Sequence, residues 1–237
     1  MNLAFTDTET TGVEEKDRLC QLAYRCGSKD VNSLFKPPLP INLMAMAVHH
    51  ITEDMVAGKP AFIGSKEHKF LKKHGKNMVF VAHNAKFDLK MLEREGITTY
   101  PASICTLKVV RHLDENANLE SHKLQYLRYL FNIKIDAAAH DAWGDILVLE
   151  LLFHRLRKRI MRDNDMGEAE AIAEMIEIST KPSLVRKWMF GKHRGEMMED
   201  TLRTDRGYLE WMLRTKLEEE TDDDEDLIHT LQTMLDQ

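Results

Sequence analysis

Asp7 and Glu9 stand two residues apart in FTDTETTG (residues 5–12), directly after an apolar start. Residues two apart in a strand project to one face. An extended segment here therefore holds two carboxylates side by side, with the small Thr10, Thr11 and Gly12 leaving room next to them. Like charges that close raise each other's pKa. A divalent cation removes that cost, and Mg²⁺ suits a site with few carboxylates and positions open to water or phosphate. Two other stretches carry related groups. VAHNAKFD (81–88) puts Asp88 in the first turn of a predicted helix, where a negative charge also complements the helix dipole. AHDAWGD (139–145) offers His140, Asp141 and Asp145. Asp141 and Asp145, four apart on one helix face, are as eligible as His140 with Asp145.

The elements that must position these groups follow from the hydrophobic pattern. LAFTDTET reads as a buried first strand and RLCQLAYRC as a second, with FKPPLPIN as a proline-rich turn. LMAMAVHHITEDMV suggests a short helix and a loop, with Thr52 capping a new helix. EHKFLKKHG reads as a helix and MVFVAHN as a strand that leads into the helix AKFDLKMLEREG, closed by Gly96. Leu124, Leu127, Leu130 and Phe131 form one helical stripe, and residues 140–160 read as a long helix with a basic end. Strands first, then strand and helix in alternation, predict an α/β domain over residues 1–162. Residues 163–180 read as a linker, 181–216 as a small module, and 217–237 as an acidic tail with a short amphipathic segment.

Composition narrows the function classes. The chain has 237 residues, 43% of them hydrophobic, enough for a packed core. No stretch approaches the roughly 18 continuous apolar residues of a membrane span, and the N-terminus has no signal-peptide pattern. Three cysteines without a CxxC pair (Cys20, Cys26, Cys105) read as reduced thiols of a cytoplasmic protein. The net charge of -6 hides an asymmetry: EEETDDDED (218–226) holds eight acidic groups, and the rest of the chain sums to +2. Basic clusters around Lys66–Lys76, Arg155–Arg162 and Arg186–Arg194 suit a polyanionic partner. The turn FGKHRG brackets Lys192, His193 and Arg194 between glycines and can offer cations and backbone N–H groups to phosphate. Trp188, Tyr208 and Trp211 read as core of the small module rather than as a base-stacking platform.

Taken in order, FxDxETTG, HNAxFD and HxAxxD resemble the three motifs of the DnaQ-like 3′–5′ exonucleases of the DEDDh class. AMAVHHITEDMVAGKP and the ending KPSLVRKWMFGKHRG…DRGYLEWML extend the resemblance, to about residue 213, toward the exodeoxyribonuclease X family. The resemblance implies a ribonuclease H-like mixed β-sheet flanked by helices. It implies a 3′–5′ exodeoxyribonuclease releasing 5′-mononucleotides by a two-metal mechanism, with a part in DNA repair. It assigns Asp7, Glu9 and Asp145 to two Mg²⁺ or Mn²⁺ ions, Asp88 to the same acidic cluster, and His140 to the general base, leaving Asp141 outside the site. Thr10 and Thr11 would hold the terminal nucleotide, with His49, His50, His83 and Asn84 as strand contacts. The expected partner is DNA, single-stranded or at duplex 3′ ends, with no membrane; the resemblance admits both a monomer and a homodimer. A DEDDh exoribonuclease, a polymerase proofreading subunit and a non-catalytic nucleic-acid-binding protein are the rival readings.

Overall fold

The computed structural model of the chain describes residues 2–99, 102–135, 142–219 and 224–236. Five strands form one mixed sheet: β1 (Leu3–Thr10), β2 (Leu19–Cys26), β3 (Lys29–Leu34), β4 (Val79–Ala82) and β5 (Ser103–Cys105), in the order β3-β2-β1-β4-β5. β1 to β3 are an antiparallel meander, while β4 and β5 run parallel to β1. The α-helices over the amino-terminal three quarters are α1 (Leu43–His49), α2 (Glu53–Val56), α3 (Lys66–His74), α4 (Ala85–Arg94), α5 (Thr106–Leu113), α6 (Leu124–Leu130), α7 (Ala142–Asn164) and α8 (Glu168–Thr180).

Alternation along β1 divides the core. Ala4 faces a cluster with Leu22, Tyr24, Phe80, Leu71 of α3 and Leu92 of α4. Phe5 faces the other side, against Ile146, Leu149 and Phe153 of α7. Its ring meets Phe153 edge-on at 5.3 Å. That contact sets the register of α7 on the sheet. From Phe5 to Glu9 the strand climbs about 13 Å, and from Phe153 back to Asp145 the helix climbs about 12 Å. The same packing that buries two aromatic rings therefore brings Asp145 level with Asp7 and Glu9.

The chain beyond the sheet is more tightly built than the sequence suggests. Residues 168–180, read there as linker, are helix α8, whose Ala171, Ile172 and Met175 belong to the main core beside β5 and α7. A second core, around Trp188, joins α9 (Met198–Thr204), α10 (Arg206–Glu218) and α11 (Glu225–Leu235). Leu227 and Leu231 of α11 are buried in it, so these residues are part of the module and not a tail. The acidic run conceals this, because the apolar repeat begins only after it. Glu225 and Asp226, at the end of that run, tie the module to the sheet domain: Glu225 pairs with Lys86 at 3.0 Å and Asp226 with Arg111 at 2.5 Å.

Candidate active site

β1 outruns its parallel neighbour. β4 pairs only with Leu3, Ala4 and Phe5, so the carboxyl end of the central strand, Asp7 to Thr10, projects past it. Strand ends of this kind are where open α/β sheets place their ligands. Asp7, Glu9 and Asp145 converge there, each offering a carboxylate oxygen within 4.8 Å of the others. Asp145 is buried and the two strand residues are half-buried. The Gln125 side-chain amide, on α6, donates to Asp145 Oδ1 and orients that carboxylate. Sequence reasoning missed Gln125, since a glutamine on an amphipathic helix has no distinguishing spacing.

The donor set tests what such a site can hold. It consists of hard oxygen ligands alone, few in number and partly open to water, which fits Mg²⁺ or Mn²⁺ and does not suit a soft metal.

Asp88 stands apart from this trio. It is buried, and its Oδ1 accepts from both Thr8 N–H (2.9 Å) and Thr8 Oγ1 (2.8 Å). The carboxylate thus supplies the acceptor that β4 no longer provides where it stops short of Thr8. Burial pushes its pKa up to about 7 against the lowering effect of the Thr8 bonds.

The residues expected to touch a strand turn out to be engaged within the chain. Thr10 Oγ1 donates to the Gly12 carbonyl (2.6 Å) and Thr11 Oγ1 to Asp17 (2.7 Å), which also accepts from Glu14 N–H. A Cβ at Gly12 would lie 2.5 Å from the Asp17 carboxylate, so this turn requires glycine. His49 is buried; its Nδ1 accepts from Ile51 N–H (3.0 Å), which fixes the proton on Nε2, and Nε2 donates to the Thr10 carbonyl (3.1 Å). Desolvation holds its pKa below the usual histidine value. His83 donates from Nε2 to the His122 carbonyl (2.8 Å) and accepts at Nδ1 from Thr106 (2.9 Å). Burial pushes its pKa down to about 4. His50 and Asn84 are the exposed members of this group, both with a left-handed backbone (φ 60° and 73°); His50 closes α1, and Asn84 precedes α4 without capping it through its side chain. His140 and Asp141 lie outside the described residues.

The FGKHRG turn is split. Lys192 pairs with Asp205 at 2.8 Å, and His193 bonds to both Glu196 (2.7 Å) and Asp205 (3.0 Å). Arg194 is exposed. Trp188 is buried and donates to Thr201 Oγ1, whereas Trp211 stays half-exposed.

With the carboxylate geometry in place, the comparisons decide the family: the exonuclease family model matches residues 4–153. The chain belongs to the exonuclease family. Among its relatives, Exodeoxyribonuclease 10 of Escherichia coli is 32% identical over 217 residues, spanning 89% of this chain and 90% of that protein. DNA polymerase III subunit epsilon of Treponema pallidum is 32% identical across 64% of this chain and 75% of its own length. Exonuclease X in complex with 5′ overhanging duplex DNA superimposes with a TM-score of 0.55 at 24% identity, covering 75% of this chain and 99% of that one. Escherichia coli Exonuclease I in complex with a dT13 oligonucleotide gives 0.56 at 18% identity, over 69% of this chain and 42% of the other. These two share the ribonuclease H-like exonuclease fold. No helix among the described residues is long and apolar enough to cross a membrane.

Proposed function

We propose that the chain is a 3′–5′ exodeoxyribonuclease that hydrolyses DNA to 5′-mononucleotides, a reaction that serves DNA repair. The observation that carries this reading is the convergence of Asp7 and Glu9 from β1 with Asp145 from α7. The identity to Exodeoxyribonuclease 10 supports DNA as the substrate. Two Mg²⁺ or Mn²⁺ ions, when bound, supply an activated water and charge stabilisation at the leaving 3′ oxygen.

Asp7, Glu9 and Asp145 would hold them, with Gln125 fixing the plane of the third carboxylate. His140 takes the proton from the attacking water, a task suited to a side chain whose ordinary pKa lies near neutrality. Asp88 steadies the projecting end of β1 through Thr8, and His49 does so through the Thr10 carbonyl. Thr10 and Thr11 then shape the turn over which the terminal nucleotide lies, with Asn84 as the exposed contact beside it. The C-terminal module, docked through Glu225 and Asp226, argues against a loose tether to a polymerase. The three free cysteines suit the reducing cytoplasm, and sedimentation of the purified chain distinguishes monomer from homodimer.

Digestion of DNA and RNA labelled at the 5′ or the 3′ end, with and without Mg²⁺, tests the reading. Loss of the 3′ label from DNA as a free mononucleotide, abolished by EDTA, is the expected result. Cleavage that persists in EDTA or starts at the 5′ end contradicts it.

A further inference from the structure

A cavity of about 570 Å³ opens between the catalytic body and the C-terminal module. That volume lies within the roughly 300–1,000 Å³ of small-ligand sites. Asp145, Gln125 and the exposed Asn84 line it, so it is continuous with the carboxylate site. Its remaining wall includes Leu184, Arg186 and Met189, from the segment that enters the module. Leu184 and Met189 are large apolar side chains left exposed, and Tyr126 of α6 adds an aromatic ring.

The charges differ in how they are used. Arg111 is committed to Asp226 and Ser183, and Lys187 reaches the Leu119 carbonyl. Asp114 is committed to His122 and to the backbone of Asn118 and Leu119. Among the described residues Arg186 forms no ion pair, and its buried Nε meets no acceptor. The same wall carries the exposed Glu120 and Lys123, of opposite charge. A guanidinium that has no carboxylate partner of its own is a donor fork matched to phosphate oxygens.

We propose that this cavity is a subsite for the single strand just upstream of the scissile 3′ nucleotide. An unpaired base lies against Tyr126, Leu184 and Met189, and a backbone phosphate is held at Arg186. Base–aromatic stacking beside a cation is how sequence-tolerant single-strand sites bind. A paired base would have to leave its stack to enter, so the subsite favours ends that are already unpaired. The proposal rests on the exodeoxyribonuclease reading and adds to it a role for the C-terminal module in gripping the strand.

The test uses the full chain carrying Asp7→Asn to prevent cleavage, with 5′-fluorescent oligo-dT from dinucleotide to octanucleotide in Mg²⁺. Anisotropy should show affinity rising as upstream nucleotides are added. Arg186→Ala should flatten that rise and weaken octanucleotide binding about tenfold, the scale of one charge-assisted contact. Met189→Asp, at an exposed position that folding tolerates, should flatten it as well by placing a carboxylate against the strand. It decides the matter alone if Arg186→Ala lowers the melting temperature. Should both folded variants keep the unaltered length profile, the subsite is overturned. The chain with Asp7 intact is assayed in parallel on end-labelled DNA. Failure to degrade DNA there overturns the exonuclease reading, whereas degradation without any length-dependent gain overturns only the subsite.

Discussion

Two charged clusters in this molecule behave in opposite ways. At the end of β1, three carboxylates from two distant elements are brought within 4.8 Å of one another. In the FGKHRG turn, Lys192 and His193 are met by the chain's own Asp205 and Glu196. The second cluster is balanced as it stands. Its bonds to Asp205 first, and to Glu196 next, raise the pKa of His193, and the bond to Asp205 raises that of Lys192. The first cluster gathers three groups of one sign of charge from two separate elements at one strand end. The lesson is that opposite charges in contact mark structure, while like charges held together by a rigid strand and helix mark a place for an outside counter-ion.

The comparison breaks most visibly if the carboxylates are dispensable. Asp7→Asn should lower nuclease activity by at least about 10³-fold, and in EDTA the variant should melt at the same temperature or slightly higher, because repulsion is relieved. His140→Ala should lose roughly 10²–10⁴-fold, as for a missing general base, with Asp141→Ala far less affected. Steady-state rates on end-labelled DNA and thermal melts read both effects.

Next in size is Gln125→Leu. Losing the donor that orients a metal-bound carboxylate should cost about 10–100-fold in metal affinity or activity, with the fold retained. An unchanged apparent Mn²⁺ requirement in this variant would mean that Asp145 is held by other contacts.

His83 gives a pH signature. Its folded pKa, about 4, is depressed below the ordinary 6.5. Its contribution to stability is therefore complete above pH 6.5 and lost as pH falls from 6.5 toward 4, when the unfolded chain takes up a proton that the folded one does not. Over that window the loss is on the order of 1–3 kcal/mol. His83→Gln should show a shallower decline in urea midpoint across that range. A steeper one would contradict the buried, neutral assignment.

The smallest effect separates the two cations of the turn. Arg194→Ala should flatten the log–log salt dependence of DNA binding by about 0.7–0.9. Lys192→Ala should change it much less, since Asp205 already takes that charge. Equal slopes for the two variants would show that the ion pair opens on binding.

Much of the catalytic half was legible because its signals are periodic. The alternation of β1 predicts that Asp7 and Glu9 share a face, and the resemblance of the motifs adds Asp145, which does lie with them; its preference for His140 over Asp141 concerns residues outside those described. What was not legible depends on contacts between segments far apart in sequence. His49 and His83 look like loop histidines until Thr10 and His122 are seen to accept their protons. Gln125 gains meaning only from Asp145 across the α6–α7 contact. Helices α8 and α11 read as linker and tail because each follows a turn-rich or acidic run, and the apolar faces they bury, around Met175 and Leu231, are short.

The central claim is that the Asp7, Glu9 and Asp145 site takes divalent cations. It is tested most directly by calorimetric titration of Mn²⁺ into the metal-free chain and into Glu9→Gln. The account predicts saturable binding to the native chain, a melting temperature that rises with Mn²⁺ as expected when a ligand binds only the folded state, and loss of both in Glu9→Gln. Equal Mn²⁺ binding by the two proteins would contradict it.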